Sequence, residues 1–384
     1  MFLPGALYFT YFMALGSFMP FINLYYERMG LSGIQIGILA ATPLLISSAT
    51  VLLWGSLADV LHLHSRMLQM NLLLGAGAVF LLATGRSFQA LLALVAVYAF
   101  FTAPIVPLLD SSALEASRDS GRSYGQLRAW GAVGWSISTI VIGLIIERFA
   151  IRYLFYGYVA LIMVTFAFAL FQPRRAEVLT SSLRQGLAKL LADQALLLFL
   201  LSVLLISLTL SAVNAFFSIY LDGIGAGEAN IGLAWAVASL SEIPVMLYSG
   251  RLVRRIGSTG LIKISFVTFA IRWLLYSVIH TPALAIAVQA LHGLSFATFL
   301  VGAVTFVNER APSGLSTTAQ SLFNLVAFGI GSIIGSVLGG YLYQSAGMFF
   351  LFRVLSAIAM AGFLLFVGGQ RRSRAQPVPP SSAP

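Results

Sequence analysis

The chain has 384 residues, of which only 9% are charged (22 Lys or Arg, 12 Asp or Glu) while 59% are hydrophobic, and its mean hydropathy is +0.94. A soluble domain carries about 25% charged residues. This composition therefore excludes a disordered chain, whose apolar surface would be too large to stay solvated, and a soluble globular domain, which could not cover itself with so few polar groups. What remains is a polytopic membrane protein, and the absence of Cys also excludes disulfides, thiolate metal sites and cysteine nucleophiles.

A membrane helix needs about 20 apolar residues, because a hydrocarbon layer of roughly 30 Å is crossed at 1.5 Å per residue. Twelve such spans follow one another at roughly 3–26, 32–58, 67–84, 88–116, 123–147, 151–171, 194–221, 228–253, 259–279, 282–308, 315–343 and 346–369. They are uniformly apolar rather than alternating, which disfavours the strands of an outer-membrane barrel. The first span has no basic n-region and is too long for a signal h-region, so it reads as a retained helix. The longest connection, 172–193, opens with Gln172-Pro173-Arg174-Arg175 and includes a short amphipathic stretch. It divides the chain into an N-terminal six-helix bundle (1–171), a linker, and a C-terminal six-helix bundle (194–369). The Arg-rich, then Pro/Ser-rich tail at 370–384 is expected to be disordered.

With an even number of spans, fifteen Lys or Arg lie on the side of the termini and four on the other: Arg28, Arg86, Arg148 and Arg152. The positive-inside rule then places both termini in the cytoplasm, in a plasma (inner) membrane. The net charge of +10 is mostly this orientation signal and not a nucleic-acid patch.

An offset of 195 aligns Tyr25 with Tyr220, Gly30 with Gly225, Ile36-Gly37 with Ile231-Gly232, and Gly55 with Gly250. An offset of 194 aligns Glu115 with Glu309 and Gln126 with Gln320. Two parallel six-helix repeats related by an axis along the membrane normal are the design of major facilitator transporters, whose solute site lies between the halves at mid-membrane. The expected fold is therefore an all-α membrane protein of twelve transmembrane helices in two pseudo-symmetric bundles.

A charge at the bilayer centre costs roughly 3 kcal/mol and marks a cavity or a partner. Five such groups stand well inside spans: Asp110, Arg128, Glu242, Arg272 and His292. Asp110 and Arg128 are each nine residues from position 119, so they share a depth on adjacent antiparallel helices. Glu242 and Arg272 are each fifteen from position 257, and Arg272 and His292 are each ten from Pro282, so these three share a depth on successive spans. Loop counting alone puts Arg128 about six residues, or roughly 9 Å, shallower than Glu242, unless the helices on either side of position 257 protrude further from the membrane. The competing reading is that these are paired ions locking helices together, although uncharged Ser or Asn would do that at lower cost.

The stretch Tyr124-Gly125-Gln126-Leu127-Arg128-Ala129-Trp130-Gly131-Ala132-Val133-Gly134-Trp135 resembles the fifth-span motif of the lactose permease branch of the major facilitator superfamily. It is equally similar to the phenylpropionate-permease-like group related to that branch. The resemblance implies that Arg128 binds sugar hydroxyls, that Trp135 stacks on the sugar ring, and that Asp110 is the span-4 carboxylate. It also implies that Glu242 is the span-8 carboxylate central to sugar binding and coupling, with Arg272 and His292 as the span-9 arginine and span-10 histidine. Two positions depart from the lactose carriers. Ser295 stands where they place a proton-handling carboxylate, and Val245 where they place an asparagine sugar ligand. The phenylpropionate-like group also lacks that span-10 carboxylate, so the chain leans that way.

Arg128 offers a planar donor fork suited to vicinal hydroxyls or to a carboxylate. Asn214 is a further solute-binding candidate, while core packing is the simpler reading of Tyr8 and Tyr11. Because proton coupling needs a group that can neutralise in a desolvated site, the candidates are Glu242, Asp110 and His292, with Arg272 and His292 biasing proton loss from Glu242. Gly55-Ser56-Leu57-Ala58-Asp59 with Arg66 resembles the superfamily's loop 2–3 motif, a cytoplasmic gate. His62 and His64 read as solvated loop residues, so no metal is expected. Gly331, Gly335 and Gly339 form a small-residue face in span 11, read as packing within the chain. Pro43, Pro104, Pro107 and Pro244 permit bends near the charged sites.

The chain lacks GxSxG, HExxH and P-loop motifs and a nucleotide-binding domain, which argues against an enzyme or a self-contained ATP-driven pump. The expected function is a proton-coupled symporter of a sugar or glycoside that works by alternating access as a monomer. Its partners are the solute, protons and lipid, with the proton gradient in place of any cofactor. The alternatives are an aromatic carboxylate or nucleoside carrier, a uniporter, or a solute-sensing receptor.

Overall fold

The computed structural model describes residues 2–61, 63–120, 124–172, 190, 193–312 and 315–375. Most of the linker and the end of the tail lie outside the described residues. The first half contains α1 (Phe2–Arg28), α2 (Gly33–Leu61), α3 (His64–Leu82), α4 (Phe88–Thr102), α5 (Ile105–Ser120), α6 (Tyr124–Arg148) and α7 (Tyr153–Ala169). The second contains α8 (Gln194–Gly223), α9 (Glu228–Leu247), α10 (Ser249–Tyr276), α11 (Pro282–Gln289), α12 (Thr298–Arg310), α13 (Ser316–Asn324) and α14 (Gly331–Ala375). Wider π-helical turns at Gly293–Ala297 and Leu325–Ile330 join α11 to α12 and α13 to α14. No strand occurs among the described residues.

Among the described residues ten stretches are long and apolar enough to cross a bilayer, and an eleventh, Tyr153–Ala169, is apolar but shorter. The longest stretch, Thr318–Arg371 with 54 residues, is two crossings joined at Gly347, whose φ of 80° no helix accommodates. The described residues therefore make twelve crossings in two six-helix bundles. The fourth crossing is broken into α4 and α5 just before Ile105, because Pro104 lacks the N–H that would continue the ladder. Large apolar side chains such as Leu53, Leu144, Leu284 and Leu364 are exposed on the outside, as a lipid-facing surface requires.

The sequence repeat is a structural repeat. Gly30 and Gly225 end α1 and α8 with φ of 82° and 88°, values only glycine adopts without strain. Tyr25 packs edge-on to Phe155 at 4.9 Å between ring centroids, and Tyr220 packs edge-on to Phe352 at the same 4.9 Å.

The repeat glycines also set how the halves meet. A methyl group on Gly37 of α2 would stand 2.5 Å from the Ser336 carbonyl oxygen of α14. Its counterpart Gly232 of α9 lies against the Thr139 carbonyl of α6. On the same two helix pairs, Gly33 faces Gly340, and Gly143 faces the Glu228 carbonyl. Only hydrogen fits at these contacts, so backbones from opposite halves touch directly. Gly331, Gly335 and Gly339 face Ser207, Leu208 and Ala212 of α8, so that series packs within one bundle.

Around these contacts, polar groups join the halves on the face opposite the termini. Arg28 bridges Asp222 and Glu228 at 2.6 Å each. Glu147 accepts the Ala229 N–H at 2.8 Å, at the N-terminus of α9 where a carboxylate is favoured. The Tyr343 hydroxyl donates to Glu27 at 3.2 Å, and the Asn23 amide donates to the Ala215 carbonyl at 3.0 Å. We expect Gly232→Val to lower the thermal unfolding midpoint in detergent, since overpacking costs about 1–3 kcal/mol. Gly77→Ala, where the added methyl meets nothing within 4 Å, should leave the midpoint unchanged or raise it slightly.

Candidate functional site

The contact between α6 and α9 decides which residues meet across the halves. The helices run antiparallel, with Gly143 at Glu228 and Thr139 at Gly232. Farther toward the termini, the rings of Trp135 and Trp235 meet edge to face at 6.4 Å. Next, Ser239 Oγ lies 3.5 Å from the Ala132 carbonyl oxygen. Each step along α6 is matched by an equal step back along α9. One further turn puts Arg128 level with Glu242.

The 9 Å offset given by loop counting is therefore corrected. α9 ends at Leu247, and residues before Gly257, which has a φ of 72°, form a separate helical arm. Position 257 is thus not the midpoint of the hairpin, because the arm from Ser249 to Ile256 lies between α9 and the helix after Gly257.

Glu242 meets His292, with Oε1 and Nε2 3.2 Å apart. Two close approaches fix this pair. The Gly293 N–H donates to Ser241 Oγ at 2.8 Å, and a Cβ on Gly293 would collide with the Ser241 carbonyl. Gly293 opens the π-helical turn, and such turns often occur at functional positions. His292 also stacks on Phe296 at 5.4 Å.

Arg272 is 1% exposed. Its guanidinium donates to Ser295 Oγ at 2.6 Å and to Gln289 Oε1 at 2.5 Å, and its carbon lies 4.9 Å from the centre of the Trp273 ring. Gln289 Oε1 also accepts from the Tyr276 hydroxyl at 2.9 Å. Arg272 Nε has no partner among the described residues. Arg272 is thus held by neutral groups on either side of His292, and Ser295 contacts it directly.

In the first half the Tyr8 hydroxyl donates to Asp110, so this buried tyrosine is a polar partner and not core filling alone. Arg128 is exposed on α6, and Trp135 is half-buried. Asn214 is exposed on α8, although Ser211 and Ser218 on the same helical face are buried and bonded to Ser336 and Pro20. Arg66 is exposed on α3. Gly55 and Asp59 lie on α2, but their surroundings fall outside the described residues. Among the described residues no three His, Asp or Glu side chains gather as a metal set would.

Sequence reading missed Gln289, Tyr276 and Trp235. A search limited to charges passes over a buried amide. The available signal was spacing: Gln289 and Ser295 lie three residues either side of His292.

The sequence matches the model of the MFS_1 like family over residues 5–354. The chain belongs to that family. It is 28% identical over 369 residues to the maltose permease of Geobacillus stearothermophilus, covering 95% of this chain and 94% of the permease. It is 26% identical over 363 residues to a probable 3-phenylpropionic acid transporter of Escherichia coli strain K12, covering 93% and 95%. Its fold matches that of the nucleoside transporter NupG with a TM-score of 0.85 and 17% identity, over 98% of this chain and 99% of that one. This MFS_1-like chain is a multi-pass membrane transporter and not an enzyme.

Replacing Gln289 with Leu removes a neutral acceptor from the buried guanidinium. We expect a loss of about 1–3 kcal/mol, read as a lower unfolding midpoint in detergent. Gln289→Glu, which keeps an acceptor, should retain most of that stability.

Proposed function

We propose that this transporter carries a sugar or glycoside in symport with protons, by alternating access between the two bundles. The observation that carries the reading is the shared level of Arg128 and Glu242 on facing helices of opposite halves. A donor fork on one side and an acceptor on the other suits a solute with several hydroxyls. Trp135, one turn above Ala132, supplies an apolar face for a ring, while Asp110 and Asn214 supply further polar contacts. Arg128 and Arg272 are balanced by Asp110 and Glu242, which favours a neutral solute over an aromatic carboxylate. A nucleoside is the second reading, because it is also a neutral ring bearing hydroxyls and the fold is shared with a nucleoside transporter.

For coupling, the proton resides on Glu242. Protonated Glu242 binds solute, and His292 in contact with it, together with the Arg272 charge behind, favours its later loss of the proton. Ser295 cannot take this role, because a hydroxyl does not ionise in this range. Gly55, Asp59 and Arg66 serve as the gate on the cytoplasmic side, where both termini lie, and the monomer is the working unit in the inner membrane.

Counterflow in proteoliposomes loaded with maltose, uridine or 3-phenylpropionate separates these solutes, and a receptor without transport would give none. For the solute that exchanges, Glu242→Gln should abolish accumulation driven by a pH gradient. Unchanged accumulation by that variant contradicts the coupling role.

A further inference from the structure

Trp235 touches the other half directly through Trp135 and indirectly through Ser218, and the solute-binding roles above do not use it. Its ring meets Trp135 of the other half at 6.4 Å, with planes inclined by 68°. That spacing leaves no room for a solute ring between the indoles. The pair therefore closes the space above the level of Arg128 and Glu242, which lies about 10 Å below along the helices. On its other side Trp235 is fixed by α8: the Phe217 ring stands edge-on at 5.8 Å, and Ser218 Oγ accepts the indole N–H at 3.0 Å. Ser218 then donates its own proton across the halves to the Pro20 carbonyl of α1 at 2.5 Å.

The hydroxyl of Ser218 has one proton to donate. Because Trp235 supplies a donor to its oxygen, that proton is directed toward Pro20, and donors arranged in series polarise one another. Beside it, Asn23, one turn farther out on α1, donates to the Ala215 carbonyl, one turn farther in on α8. Two cross-half hydrogen bonds between α1 and α8 thus stand beside the aromatic roof.

We propose that Trp235 is a positioning residue that couples ring solutes to closure of the face opposite the termini. With Trp135 it roofs the solute site, and through Ser218 and Pro20 it holds the two bundles together above that roof. A solute with a flat apolar ring face, as in a hexose or a nucleoside, packs under the roof and stabilises the closed arrangement. The solute half of this inference rests on the proposed transport function, whereas the closure half does not.

The chain has no native cysteine, so a single Ala215→Cys reports on closure through its labelling rate with a membrane-impermeant maleimide. In the absence of any solute, Trp235→Phe keeps a ring but loses the N–H, and Ser218→Ala loses the hydroxyl. Each should speed labelling about fivefold, the population shift expected from losing one hydrogen bond of ordinary strength. Unchanged rates in both variants overturn the closure role, and simple ring packing predicts that result. Maltose or uridine should slow labelling of the parent and have less effect on Trp235→Phe. Equal slowing in parent and variant overturns the role of Trp235 in sensing solute. Failure of maltose, uridine and 3-phenylpropionate alike to slow the parent contradicts the solute reading, and the solute-free rates still decide the closure role.

Discussion

The structure depends on the direct backbone contact between α6 and α9, made where a glycine on each helix meets the backbone of the other. Gly143 at Glu228 and Gly232 at Thr139 leave no space for side chains, so the two helices have little freedom to slide. That constraint sets the register for the residues farther in. It places Trp135 at Trp235, Ala132 at Ser239 and Arg128 at the level of Glu242. The repeat supplies the same contact once more between α2 and α14, with Gly37 at Ser336. The two bundles therefore meet along two equivalent seams.

In a bilayer each charge must be accounted for, and the second bundle does this unusually. Arg272 is fully enclosed yet bonded to an amide and a hydroxyl and stacked near an indole. The Glu242 carboxylate pairs instead with His292, which lies between Gln289 and Ser295 in the chain. In the proposed coupling, Arg272 supplies a fixed positive charge near the Glu242–His292 pair. The Gly293 approach to Ser241 and the π-helical turn beginning there hold that pair in place.

Much of this was legible in the sequence, for physical reasons. Twelve apolar stretches can do little but cross a membrane, and the offset of 195 picked out Gly30, Gly225, Gly37 and Gly232, each of which has a backbone task. The five charged residues stood out because so few others lie in apolar spans. The level of Glu242 was not legible, because Gly257 looks like an ordinary turn and only coordinates reveal a helical arm before it. Gln289, Tyr276 and Trp235 were not legible because buried amides, phenols and indoles are common in apolar helices, and only contact geometry separates them from packing.

The register is tested most directly by disulfide formation between engineered cysteines in a chain that otherwise has none. Ala132→Cys combined with Ser239→Cys should cross-link rapidly under mild oxidation, since Ser239 Oγ lies 3.5 Å from the Ala132 carbonyl. Ala132→Cys combined with Val245→Cys should not. Cross-linking of the second pair in place of the first would shift α9 by six residues, move Glu242 away from Arg128, and contradict the proposed solute site.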